Sequence, residues 1–181
     1  MFELSLHILD LVQNSISAGA TLVVIEIIMD TEEDLLTIII RDDGCGMDQA
    51  LLSRVISPFT TTRTTRKVGL GIPMFMQCAK MCGGDFKIDS TPGIGTTLTA
   101  TFKASHLDLP PIGDLKATMQ TLILGSPDKP DFQFDYKIDG REFNFDTRAV
   151  REALGPVPLN EPAVLNWIGE AIAEGLNELT D

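Results

Sequence analysis

Asp10 and Asn14 stand four residues apart in a stretch where Leu4, Ile8, Leu11, Val12 and Ile16 recur at helical spacing. That rhythm predicts an amphipathic helix over residues 3–18, ended by Gly19, with both polar side chains on one face. A carboxylate there can orient or deprotonate water, and a neutral amide oxygen can ligate a hard cation. Farther along, Asp42-Asp43-Gly44-Cys45-Gly46-Met47 follows an apolar run. It sets an acceptor at a strand end, beside glycines that let backbone come close to a ligand. A polar loop, Ser57 to Arg63, carries Thr61 and Arg63 and leads through Lys67 to Gly69-Leu70-Gly71-Ile72. At a helix start such glycines leave free N–H groups facing outward, which suits phosphate. Gly93-Ile94-Gly95-Thr96-Thr97 then opens another strand.

Taken singly, each motif has an ordinary alternative. Asn14 between Gln13 and Ser15 is equally a solvated helix face, and Asp42-Asp43 an acidic turn. Gly69-Leu70-Gly71 is no dinucleotide fingerprint, because Met74 occupies the third glycine's place, and no Gly-Lys-Ser/Thr follows. Residues 49–80 hold five basic side chains and no acidic one. They form either a lid that faces a polyphosphate or a solvated loop. Cys78 and Cys82, four apart, fit two small apolar residues on a buried face better than a metal pair. Cys45 is assigned no reaction.

The elements that must hold these residues read as mixed α/β. Residues 21–29 and 35–41 are rich in Ile, Val and Leu and form an antiparallel pair across the acidic turn Asp30 to Asp34. A short helix is expected at 48–56, a polar loop at 57–68 and a helix at 71–81 that tolerates Pro73 in its first turn. A hairpin of 86–89 and 96–103 follows.

The four motifs, in this order and spacing, resemble the ATP-binding domain shared by histidine kinases, anti-sigma-factor serine kinases, mismatch-repair ATPases and type II topoisomerases. The resemblance covers residues 2–103 and implies a two-layer α/β sandwich with helices on one face of a mixed sheet. It implies ATP and Mg²⁺ as cofactors, with Asn14 on the metal and Asp42 accepting from the adenine amino group. Gly44, Gly46, Met47 and Thr96 would help bind the nucleotide. Thr61, Arg63, Lys67, Gly69, Leu70 and Gly71 would serve the lid and phosphates, and Asp10 would be the catalytic carboxylate. Three departures stand out. Hydrolysing members of that family usually have Glu where Asp10 stands, and Lys67-Val68 replaces a glycine-containing pair. No phosphoacceptor helix is present either: His7 lies inside the first helix and His106 in a linker. Autophosphorylation on histidine within this chain is not expected.

The 181 residues carry a net charge of −12 with 44% hydrophobic residues, the balance of a folded protein and a poor one for binding nucleic acid. No apolar run is long enough to span a membrane, the N-terminus has no signal-peptide pattern, and three unframed cysteines point to a reducing cytosol. Residues 1–104 hold 8 basic and 12 acidic groups, whereas 105–181 hold 6 and 14. A boundary is therefore expected near Ala104–Gly113, between an ATP-binding domain (1–104) and an acidic α+β extension (105–181), a docking unit for a protein partner. In the extension, Asp139-Gly140 is a two-residue hairpin turn that puts Phe132, Phe134, Tyr136, Phe143 and Phe145 on one face. Helices are expected at 114–124, at 147–154 and, capped by Asn160, at 161–179. The extension resembles that of stand-alone ATPase-like proteins associated with bacterial multisubunit hydrogenases. The functional expectation is a Mg-ATP-binding signalling protein, kinase-like or anti-sigma-like, acting on a partner, with a homodimer possible. An ATP-hydrolysing switch or a non-catalytic nucleotide sensor on a redox complex is the alternative.

Overall fold

In the computed structural model, which describes residues 3–57 and 70–181, strands β1 (Leu22–Asp30) and β2 (Leu35–Asp42) pair antiparallel across the acidic turn. Their Val and Ile side chains alternate. Val23, Ile25, Ile27, Leu36, Ile38 and Ile40 point to one face and are buried, as period-two patterning requires. Strands β3 (Phe86–Thr91) and β4 (Gly95–Lys103) form the next hairpin, with β4 antiparallel to β2.

Helix α1 (Leu4–Ser17) covers this face with Leu4, Ile8, Leu11 and Val12. Among the described residues, no side chain caps its start. The N–H groups of Leu4 and Ser5 donate to the carbonyls of Pro111 and Ile112 at 2.9 and 2.8 Å, so the linker satisfies the helix end. Helix α2 (Gln49–Ile56) is capped by Asp48, and α3 (Gly71–Met81) buries Ile72, Phe75 and Ala79 against α1 and β4.

Beyond the linker, α4 (Leu115–Gly125) is capped by Asp114 and leads to β5 (Asp131–Ile138) and β6 (Arg141–Asp146). Asp139 and Gly140 both take positive φ, the conformation a two-residue turn of this kind needs. β5 then pairs in parallel with β1 from Leu22–Asp131 to Met29–Ile138. The hairpin thereby extends one six-stranded sheet, in the order β3-β4-β2-β1-β5-β6, mixed because of this parallel pair. Phe132, Phe134 and Phe145 join the same core as β1 and β2. Asp135, on the opposite face, is also buried and accepts from Gln133 and Asn144 at 2.8 and 2.7 Å. Helix α5 (Thr147–Leu154) is capped by Asp146, and α6 (Pro162–Thr180) packs on α4, β5 and β6. Asn160 does not cap α6. Pro162 fixes its first turn and holds Glu161 extended, which leaves Asn160 in the preceding turn. Among the described residues, no helix is long and apolar enough to cross a membrane.

Candidate active site

The second half of α1, the end of β2 and the loop after it enclose a cavity of about 610 Å³. Its apolar wall includes Leu11, Ile40, Met47, Val55, Ile72, Ile88 and Leu98. Its polar side chains include Asn14, Ser15, Ser17, Asp42 and Thr96, an arrangement usual in small-molecule sites.

Both oxygens of Asp42 are held. Oδ1 accepts from the Gly44 N–H at 2.9 Å, and Oδ2 accepts from the Ser15 hydroxyl at 2.6 Å. Asp43 points elsewhere: its carboxylate accepts from the N–H groups of Thr21 and Leu22 and from the Thr21 hydroxyl, pinning the start of β1. Partial desolvation pushes the Asp43 carboxyl up, but those hydrogen bonds outweigh it and hold it below the usual carboxylate range.

The loop between the two glycines is clamped on both sides. The Cys45 N–H donates to the Ala18 carbonyl at 2.9 Å, and the Cys45 carbonyl accepts from Gly93 at 2.8 Å. Gly46 has φ +69°, and a Cβ there would lie 2.0 Å from the Thr91 carbonyl oxygen. Position 46 therefore has room for glycine alone. Ser90, unremarked in the sequence, joins two walls. Its oxygen accepts from Met47 N–H at 2.8 Å and sits 2.8 Å from the Thr96 hydroxyl.

Of the residues singled out by sequence, Asn14, Asp42, Gly46, Met47 and Thr96 line the cavity, and Gly44 supports Asp42. Asp10 is exposed on α1, next to the start of α3, where a Cβ on Gly71 would lie 3.5 Å from the Asp10 Cβ. Leu70 is 54% exposed and shares the outer face of α3 with Met74 and Met81. Thr61, Arg63, Lys67 and Gly69 lie outside the described residues. Sequence reading missed Ser15 and Ser90. For Ser15 the available signal was a serine next to Asn14 on the buried side of the helix.

His7 is buried on α1 with its ring 5.5 Å from that of Phe75. Burial lowers its pKa, and the charge of Asp10 opposes the shift. Cys78 is pushed up to about 11 by burial and by Cys82 beside it, so both thiols stay protonated and pack as small apolar groups. No group of three or more His, Cys, Asp or Glu able to hold a metal occurs among the described residues.

The chain is similar to the signal transduction histidine-protein kinase AtoS of Escherichia coli, at 37% identity over 60 residues, covering 33% of this chain and 10% of that one. It is also 32% identical over 110 residues to the non-motile and phage-resistance protein of Caulobacter vibrioides, covering 56% of this chain and 13% of that protein. It thus aligns with about a tenth of the length of these relatives. The solved N-terminal domain of a DNA repair protein shares its fold, with TM-score 0.51 at 17% identity over 80% of this chain and 52% of that one. Residues 3–106 match the family of histidine kinase-, DNA gyrase B- and HSP90-like ATPases. That match spans more than half of the chain and contains the whole cavity, so the protein belongs to this ATPase family and residues 3–106 are its ATP-binding domain.

Proposed function

We propose that the chain is a Mg-ATP-dependent signalling protein that transfers the γ-phosphoryl group to a protein partner. The observation that carries this reading is the doubly held carboxylate of Asp42 at an otherwise apolar cavity, inside the ATPase family match. A fixed acceptor there selects a purine with an amino group at the six-position, where guanine presents a carbonyl instead. Thr96 and Met47, tied together through Ser90, complete the base wall. Gly44 and Gly46 keep the backbone close.

Asn14 contributes a neutral hard oxygen at the cavity, which fits Mg²⁺, an ion that needs few protein ligands when phosphate oxygens supply others. When bound, the ion would neutralise charge on the phosphates. Helix α3 starts at Gly71 beside Asp10, and the N–H groups of Gly71 and Ile72 are assigned to the same phosphates, with Gly69 and Leu70 assigned there by their place in the chain. Thr61, Arg63 and Lys67 are assigned to the triphosphate on charge and position in the chain. Asp10, beside Gly71, would accept the proton of the attacking group.

The relatives named above include a histidine-protein kinase, which supports transfer over binding alone. His7 is buried in the core and His106 lies beside Gly83, past the end of α3 opposite to Gly71, so the phosphoacceptor is sought outside these 181 residues. The acidic surface of residues 105–181 is assigned to docking, and the three free cysteines support a reducing, cytoplasmic site of action.

Incubation with γ-labelled ATP and Mg²⁺, alone and with host extract, tests the proposal. Label on a partner, lost in Asp42→Ala, supports it. Free phosphate without labelled protein replaces it with a hydrolytic switch, and no turnover replaces it with a nucleotide sensor.

A further inference from the structure

Ser15 sits on α1 with 4% of its surface exposed, one residue past Asn14. A buried helical serine ordinarily returns its hydroxyl to a carbonyl one turn back in its own helix. Here the hydroxyl instead reaches 27 residues along the chain to Asp42 Oδ2, at 2.6 Å. A carboxylate is an acceptor, so Ser15 must be the donor, and the short distance is that of a charge-assisted bond. With Gly44 donating to Oδ1, each oxygen is fixed by one protein donor and keeps acceptor capacity for a ligand.

We infer that Ser15 is a positioning residue that sets nucleobase choice, by locking Asp42 as a pure acceptor toward the cavity. The inference rests on the reading of Asp42 given above. Without the hydroxyl, Asp42 keeps the Gly44 tether alone, and its free oxygen can turn away from the base. The helix itself does not need the serine, since alanine is the better helix former.

ATP and ITP separate this role from a structural one, because they differ in whether the six-position of the purine carries an amino group or a carbonyl. Calorimetry on the full chain with Mg²⁺ should show the parent binding ATP about tenfold or more tighter than ITP. Ser15→Ala should weaken ATP about tenfold and leave ITP nearly unchanged, so that the ratio collapses. Ser15→Cys keeps the side-chain size with a weaker donor and should move the ratio the same way. It supplies the answer if Ser15→Ala does not fold. Variants that keep the parent's ATP:ITP ratio, even with both nucleotides weakened, overturn the inference and leave the reading of Asp42 standing. A parent that binds ATP and ITP equally overturns both.

Discussion

Asp10 and Asn14 share a helix but not an environment: Asn14 lines the cavity, and Asp10 is exposed beside the start of α3. Their variants should therefore differ in kind. Asn14→Ala is expected to weaken Mg-ATP binding, read by calorimetry with and without Mg²⁺. Asp10→Asn should leave binding in place and lower release or transfer of γ-phosphate roughly 10²–10⁴-fold, the span for a general base. His7, on the same helix, gives a pH dependence. Burial holds its pKa below the ordinary 6.5, so the unfolded chain takes up the proton first as pH falls. The stability due to neutral His7 is complete above about pH 6.5 and is lost as pH falls through its folded-state value. Urea midpoints should drop as pH falls below about 6.5, and His7→Gln should flatten that drop. The motif chose Asp42 over Asp43, but residue types alone could not show the physical difference between them. The distinction lies in partners brought from elsewhere, Ser15 for one and Thr21 for the other.

Between elements, two glycines of α6 make opposite demands. A Cβ on Gly175 would meet the ring of Phe143 at 2.1 Å, and that ring is packed edge-on to Phe134. Gly175→Ala should destabilise the protein by about 1–3 kcal/mol despite the gain in helix propensity. A Cβ on Gly169 would meet Nε2 of Gln120, the far end of a flexible side chain. Gly169→Ala should cost less, with the loss of the Gln120 bond to the Leu165 carbonyl offset by propensity. Thermal melts of the two variants check the order. Elements of this size were largely legible: Asp139-Gly140 specifies its turn locally, and the helices expected at 114–124 and 147–154 are α4 and α5, though Asp114 caps the first rather than starting it. The start of α6 was misread because Pro162 overrides the capping preference of Asn160.

For the whole molecule, the parallel pairing of β5 on β1 was not legible, since neither strand's pattern names a partner so distant in sequence. It changes what a truncation should do. A chain ending at Ala104 would lose the partner of β1 from Leu22 to Met29 and the Pro111 and Ile112 carbonyls that close α1. Such a fragment is expected to self-associate and to melt well below the full chain, as light scattering and calorimetry would show. A monomeric fragment with the parent's midpoint would instead show that residues 105–181 are a separable docking unit. The same pairing sets an order on synthesis. β1 leaves the ribosome before its parallel neighbour, which follows roughly a hundred residues later, and at five to twenty residues per second that leaves about five to twenty seconds of waiting. Throughout that interval an apolar strand has one open edge, a nascent chain's opportunity to pair with the wrong neighbour, and the demand for a chaperone should peak there.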